Sequence, residues 1–488
     1  MTTRILRTVR NGDAVPLRDV PVAEFPAFRQ TILDLGGRLA AFFGRKLPSG
    51  AVRLYAVLAQ DELGLLSLVA TDVKDAYPSL TPEFPQAHRF EREIFEQCGV
   101  RPEGHPWLKP VRFPEGEVGV ADFYRVEGAE VHEVAVGPVH AGVIEPGHFR
   151  FQCHGEEVFH LEISLGYQHR GVERALAGGP DRRTVHYLET LAGDTTVGHA
   201  TAYAELVEAL AGGVAPPRAQ ALRGIALELE RLANHAGDLG ALANDVGYLP
   251  TASYCGRLRG DFLNLTALLC GSRFGRGMVR PGGVGFDVDG PRVATALERL
   301  EPALKDVLAA STLLWDSPSV MARFEDTGTV SRETAEALGL VGPAARASGL
   351  ERDVRQEFPS GMYRFVQVPV SAFATGDVLA RAQVRWLEIQ RSAVFVREQF
   401  QSLPGGPVRG KLGDLAPDRM AVSLVEGWRG EICHVAITDE KGRFAAYKVV
   451  DPSFHNWTGL ALALRGQQIS DFPLCNKSFN LSYCGHDL

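Results

Sequence analysis

The sequence predicts an α+β fold: a small N-terminal α+β domain followed by a large, mainly helical domain with peripheral β-strands. Three observations carry this. Residues 1–110 alternate helical and strand-like texture within short distances. From about residue 184 long stretches repeat apolar residues at helical spacing. Near the end, MAVSLVEGWRGEICHVAITDEKGRFAAYKVV returns to β-rich runs joined by turns at Arg429–Gly430 and Glu440–Lys441–Gly442. The predicted boundary divides the chain into 1–125 and 126–488.

In order along the chain, FPAFRQTILDLGGRLAAFF carries helical spacing, whereas AVRLYAVLAQ and GLLSLVATDV read as strands rich in Val and Leu. FEREIFEQCG reads as a helix stopped by Gly99. The Pro-, Gly- and Glu-rich 110–131 reads as an extended connection. GHFRFQCHGEEVFHLEISLGY suggests a strand pair. One helix is predicted over 184–211, and another starts after Pro216–Pro217, with Leu222, Ile225, Leu229 and Leu232 on one face. Further helices fit 251–274, 291–315 and 376–402. WTGLALALRG gives a short last one.

Composition excludes several classes. A net charge of −8 argues against nucleic-acid binding, which needs a basic field. No run of 18 apolar residues is present to span a membrane, and MTTRILRTVRNGDAVPL lacks the apolar core of a signal peptide. Seven scattered cysteines form no C-x-x-C pair, so neither a disulfide framework nor an iron–sulfur cluster within this chain is expected.

Several stretches hold candidate chemistry, each with a bland alternative. GPVHAGVIEPGHFRF places His140 and His148 in a Gly/Pro loop, which is either functional or a turn with solvated histidines. YQHRGVE carries His169, Arg170 and Glu173, and Arg170–Glu173 fits a plain i,i+3 ion pair. The Gly-rich 273–287 lacks the spacing of a phosphate loop or a dinucleotide fingerprint. SYCGHDL gathers Ser482, Cys484, His486 and Asp487. TLAGDTTVGHATAY holds Asp194 and His199 within the predicted 184–211 helix, and reads locally as a metal site, an acid–base site or neither.

Together these motifs resemble a known pair of families. Glu91, Arg92, Glu93, Ile94, Glu96, Gly99, Val100, Gly104, His105, Pro106 and Leu108 match the signature of the small hydrophilic peripheral-arm subunit of respiratory complex I. The remainder is similar to the large subunit shared by complex I (NADH-quinone oxidoreductase) and the group 4 membrane-bound nickel–iron hydrogenases. The matching stretches run in family order from about 136 to the end and include YQHRGVE, RAQALRGIALELERLANHAGDLG, RFGRGMVRPGGV and DPSFHNWTGLALALRG. The fusion of the two is typical of hydrogenase-4 and formate hydrogenlyase. The resemblance implies a hydrogenase-large-subunit-like domain over 126–488.

In the family's metal-binding members four thiolates in two C-x-x-C pairs hold nickel and iron, and soft thiolates suit that centre. Here Arg170, Gly171, Glu173 and His199 match the surrounding motif, but the four cysteine positions fall on Ala192, Thr195, Ser482 and Gly485. The resemblance therefore implies no nickel–iron centre and no cofactor bound by this chain. Complex I turned the same cavity into a quinone site. His140 matches the first histidine of its loop, His148 offers a second, and the position of its headgroup tyrosine falls on Gly193.

The resemblance implies a subunit of a membrane-associated oxidoreductase complex at the cytoplasmic face of the membrane. It would form the cavity beside a 4Fe–4S small subunit, with a ferredoxin-like subunit and membrane-arm subunits as further partners. It would couple electron transfer, to quinone or another acceptor, to proton or ion translocation. Glu173 matches the hydrogenase proton-transfer glutamate, with burial expected to tune it toward neutral pKa. Arg170, His169, His199 and Asp194 are the remaining catalytic candidates. Two alternatives stay open: a purely structural and coupling subunit, or a metal site built from His199, Asp194, Cys484 and His486.

Overall fold

The computed structural model describes residues 6–114, 117–140 and 144–488. Helix accounts for 45% and strand for 19% in several small sheets, which places the molecule in the α+β class as the sequence predicts.

The N-terminal sheet is built on an antiparallel meander, Arg38–Lys46, Val52–Gln60 and Leu65–Val73, in which most side chains are buried. Arg7–Val9 pairs antiparallel and Val22–Ala23 parallel with its last strand. Helices Phe25–Leu35 and His88–Cys98 cover it, bringing Phe28, Phe42 and Phe90 into one core. The helical spacing read through 25–43 is thus only half right. Gly36 takes a left-handed conformation (φ 58°) and ends the helix, and the following RLAAFF becomes a buried central strand, whose continuous apolar run does not distinguish it from a helix.

Two further sheets frame the helical part. Val131–Val136, His148–His154 and Glu157–Ser164 form an antiparallel three-stranded sheet, one strand more than the predicted pair. Arg419–Gly427, Gly430–Thr438 and Phe444–Val450 form the other, and Ala14–Pro16 from the chain's start pairs along its edge with Arg419–Ala421. Asn11 ties the same junction by donating to the carbonyls of Phe358 (2.7 Å) and Leu424 (2.9 Å). Met420, Val422, Leu424 and Cys433 share a core with the N-terminal sheet, so the two parts are packed together.

The helical mass is formed by Pro217–Asp245, Leu249–Cys270, Gly290–Trp315 and Val378–Gln401. Pro217 opens the first of these, as Pro216–Pro217 predicts. The predicted 184–211 helix is two: Thr184–Leu188 and Thr196–Ala211, separated by a turn. The second is buried almost all round, wedged between the four-stranded sheet and Pro217–Asp245. That placement puts the 189–195 turn beside the Trp428–Arg429 turn and the C-terminal helix Tyr483–Asp487. Among the described residues no helix is long and apolar enough to cross a membrane.

Candidate functional site

The 189–195 turn exists because the chain's apolar rhythm is interrupted by Gly193 and Asp194, and because another residue holds the start of the following helix. Thr195 makes no side-chain cap. Instead Glu230, on the neighbouring long helix, accepts from the amides of Val197 (2.8 Å) and Gly198 (3.2 Å), satisfying donors that the helix leaves open. Burial pushes the Glu230 carboxyl up to about 8, with the Asp194 charge adding to the rise and the two amides opposing it.

Asp194 does not stand free. Both its oxygens accept from Arg429, at 2.5 and 2.8 Å, in a bidentate pair. The guanidinium also donates to Thr195 Oγ1 (3.2 Å) and to the Asn480 carbonyl (2.5 Å), and lies 3.9 Å over the Trp428 ring. Trp428 Nε1 and Asn234 Nδ2 both donate to the Asp194 carbonyl at 3.0 Å. Burial raises the Asp194 carboxyl, but Arg429 outweighs it and holds the group below the usual carboxylate range. Gly193, next to this pair, is exposed, and a side chain there would meet open space.

The other two vacated positions have new work. Ser482 caps Tyr483–Asp487: its Oγ accepts from Gly485 N at 2.9 Å, and its own amide donates to Ser453 Oγ at 2.8 Å. Gly485 leaves room for Asp451. A Cβ at 485 would sit 2.6 Å from Asp451 Oδ2 and 2.7 Å from its carboxyl carbon. Gly485→Ala is therefore expected to cost about 1–3 kcal/mol by overpacking. Denaturant unfolding of the purified protein checks this, and a stability equal to the parent's would remove the steric argument.

A nickel–iron centre does not fit these residues. No thiolate occupies any of the four positions, and the Asp451 carboxylate already holds the space a side chain at 485 would need. Cys484 cannot compensate: burial pushes its thiol up to about 12, and it rests 3.4 Å from Ser482 Oγ. The unusual ligand set His199, Asp194, Cys484 and His486 is also dispersed. His199 faces Asp451, Asp194 faces Arg429, and His486 lies between Arg89 and Asp487. Among the described residues no three or more His, Cys, Asp or Glu side chains gather in a geometry that could hold a metal ion.

Arg170 and Glu173 do not form the predicted ion pair, because the glycine between them is left-handed (Gly171, φ 66°) and turns the two side chains apart. Arg170 donates to the carbonyls of Thr190 (2.8 Å), Leu191 (3.0 Å) and Cys484 (3.4 Å), stapling the two loops that carry the vacated positions. Glu173 instead accepts from Val449 N (3.0 Å) and Gln97 Nε2 (3.2 Å) and pairs with Lys448 (3.0 Å). Burial acts to raise it, but Lys448 and Arg112 prevail and hold it below its ordinary value. The expected shift toward neutrality is thus absent at Glu173 and present at Glu230. Glu173 and His169 line a cleft of about 770 Å³ between the N-terminal sheet and the strand Phe444–Val450.

His140 lies on the approach to the three-stranded sheet and His148 opens its middle strand; residues 141–143 between them lie outside the described residues. His140 Nε2 is 3.0 Å from the Gly147 carbonyl, and His148 Nδ1 is 3.1 Å from the Gly137 carbonyl. His148 Nε2 is buried and without a hydrogen-bond partner among the described residues. Glu145 links this loop to the vacated pair by accepting from the amides of Tyr483 and Cys484, each at 3.2 Å.

Sequence reasoning missed Arg429, Glu230, His434, Tyr447 and Asp451. A trace of signal exists for two. His434 is a lone imidazole in the buried strand EICHVAIT, and Asp451–Pro452 is an N-cap followed by a first-turn proline; Asp451 Oδ1 accepts from Ser453 N at 2.8 Å.

Comparison with known proteins agrees with this architecture. Residues 48–121 match the respiratory-chain NADH dehydrogenase 30 Kd subunit family, and residues 245–419 match the 49 Kd subunit family. The chain is 29% identical to formate hydrogenlyase subunit 5 of Escherichia coli, over 95% of this chain and 86% of that protein. It is 31% identical to the carbon monoxide-induced hydrogenase of Rhodospirillum rubrum, over 72% of this chain and 97% of that protein. It is 30% identical to NADH-quinone oxidoreductase subunit 4 of Thermus thermophilus, over 70% of this chain and 90% of that protein. These relatives are subunits of oxidoreductase complexes, and the similarity to formate hydrogenlyase subunit 5 spans both parts of the chain. The chain belongs to the large-subunit family shared by complex I and the hydrogenase-4 and formate hydrogenlyase complexes, with the complex I 30 Kd subunit family fused ahead of it.

Proposed function

We propose that this chain is a metal-free large subunit of a membrane-associated redox complex, and that it moves protons while electrons pass from a partner 4Fe–4S subunit to quinone or another acceptor. Ferredoxin-like and membrane-arm subunits complete the assembly, peripheral at the cytoplasmic face of the membrane. One observation carries the reading: the four ligand positions hold Ala192, Thr195, the helix cap Ser482 and Gly485, while the Asp194–Arg429 ion pair and other ionisable groups stand beside them. Open space at Gly193 and His148 Nε2, which lacks a hydrogen-bond partner among the described residues, suit an acceptor headgroup. Glu173, on a solvent-open cleft with Lys448 and His169, suits proton exchange with bulk water.

The test uses the purified complex with reduced methyl viologen as donor and a short-chain ubiquinone as acceptor. Glu173→Gln is expected to lower proton-coupled turnover on the order of a hundredfold. Unchanged turnover and proton uptake would overturn the proton role, and stoichiometric nickel by elemental analysis would overturn the metal-free reading. The structural and coupling alternative rests on a specific observation as well: Arg170 and Ser482 spend their polar atoms on backbone groups.

A further inference from the structure

Behind the vacated positions runs a continuous buried hydrogen-bond chain. Asp451 Oδ2 lies 3.1 Å from His199 Nε2; His199 Nδ1 lies 3.0 Å from His434 Nε2; His434 Nδ1 lies 2.9 Å from the Tyr447 hydroxyl. The chain crosses from the helix Thr196–Ala211 to two adjacent strands. His199 and His434 are fully buried, and Asp451 and Tyr447 are 1% and 5% exposed.

Its polarity follows from the donor and acceptor inventory. A carboxylate only accepts, so His199 Nε2 carries the proton. With one proton on the ring, His199 accepts at Nδ1, His434 donates from Nε2 and accepts at Nδ1, and the Tyr447 O–H donates. Every bond points the same way, toward Asp451. Charge states agree. Burial drives His434 well below the ordinary histidine value and Tyr447 well above the ordinary phenol, so both stay neutral. Burial raises Asp451, but the hydrogen bond from His199 outweighs it and keeps the carboxylate ionised. At the outer end Tyr447 packs in one apolar cluster with Tyr203, and burial raises both phenols. At the inner end Asp451 lies directly against Gly485.

We propose that Tyr447, His434, His199 and Asp451 form a proton wire that delivers protons from the Tyr203 side of the sheet to the vacated site at Gly485. The inference deepens the redox-subunit reading and rests on it. In one transfer the Tyr447 O–H bond breaks as a proton forms a bond to His434 Nδ1. His434 Nε2–H passes its proton to His199 Nδ1, and His199 Nε2–H passes its proton to Asp451 Oδ2. A proton entering at the Tyr447 oxygen restores the phenol. The internal transfers break three bonds to hydrogen and form three, the entering proton forms the fourth at Tyr447, one net proton reaches Asp451, and no electron moves within the row. The four residues act as positioning and relay groups.

The experiment uses the assembled complex with the same donor and acceptor, reading turnover, proton uptake and the solvent deuterium isotope effect. Tyr447→Phe cuts the row at its entrance. His434→Gln can keep a hydrogen bond at each end, but an amide does not relay a proton. Both are expected to lower proton-coupled turnover on the order of tenfold to a hundredfold, with assembly retained and an altered isotope effect. Parent-like turnover and isotope effect in both variants would overturn the wire, and a continuing effect of Glu173→Gln would show that the broader reading survives. A parent complex that moves no proton between donor and acceptor defeats both. If the variants fail to assemble, a proton inventory on the unaltered complex decides: a curved inventory, several protons in flight, supports the wire, and a linear one or none overturns it.

Discussion

Glu388→Ala is expected to destabilise the purified protein by about 3–5 kcal/mol, the range for breaking a buried ion pair from one side. Glu388 is 1% exposed and accepts from three residues: Arg346 (2.7 Å), His235 (2.8 Å) and Arg231 (3.2 Å). Around it Arg355 pairs with Asp353 and Glu228, and Arg346 also donates to Glu426. Deleting the carboxylate leaves two guanidinium arms and an imidazole nitrogen buried without it. Burial pushes the Glu388 carboxyl up, but Arg346 and His235 prevail and hold it well below the ordinary value. A group with a depressed folded pKa contributes its full stability above its unfolded pKa and loses it as pH falls through the folded one. The margin of the parent over the variant should therefore hold above about pH 4.3, the unfolded glutamate value, and shrink below it. Urea titrations of both proteins across this range check the claim, and a margin that grows on acidification would reverse the sign argued here.

The buried network shows what a sequence conveys and what it hides. The helices carrying it were legible from apolar spacing, because Leu222, Ile225, Leu229 and Leu232 repeat at the helical period. The charges between them were not. Glu228, Arg231 and His235 are polar residues between those apolar positions, yet all three are buried, since their partners arrive from 355, 388 and 426. The same limit governs the site. The resemblance places the four thiolate positions on Ala192, Thr195, Ser482 and Gly485. What replaced them depends on Arg429, more than two hundred residues from Asp194 in sequence, and on Asp451 under Gly485. The 184–211 segment read as one helix because the turn at 189–195 is held by Glu230 from another helix, a contact with no local signature.

Asp194→Ala is expected to cost about 3 kcal/mol, because it leaves the Arg429 guanidinium, whose side chain is 4% exposed, without its bidentate partner. The Thr195 hydroxyl, the Asn480 carbonyl and the Trp428 face remain, none of them charged, and the Asp451 and Asp238 carboxylates act on the guanidinium only from beyond hydrogen-bond contact. Arg429→Met alone should cost less, since Asp194 keeps 32% of its side-chain surface in water and can be hydrated. If the pair is what fills the vacated site, the double variant should be more stable than the sum of the two losses predicts, by roughly 1–3 kcal/mol of coupling. Strictly additive losses would mean that the two residues stabilise the fold independently. Activity then separates the two functional readings. A structural filler predicts turnover that tracks the amount of assembled complex, because the pair only ties the 191–195 turn to the 428–430 turn. A site that must hold its charges in place beside Asp451 predicts a loss of turnover per assembled complex, since Arg429 also helps to keep the Asp451 carboxylate ionised.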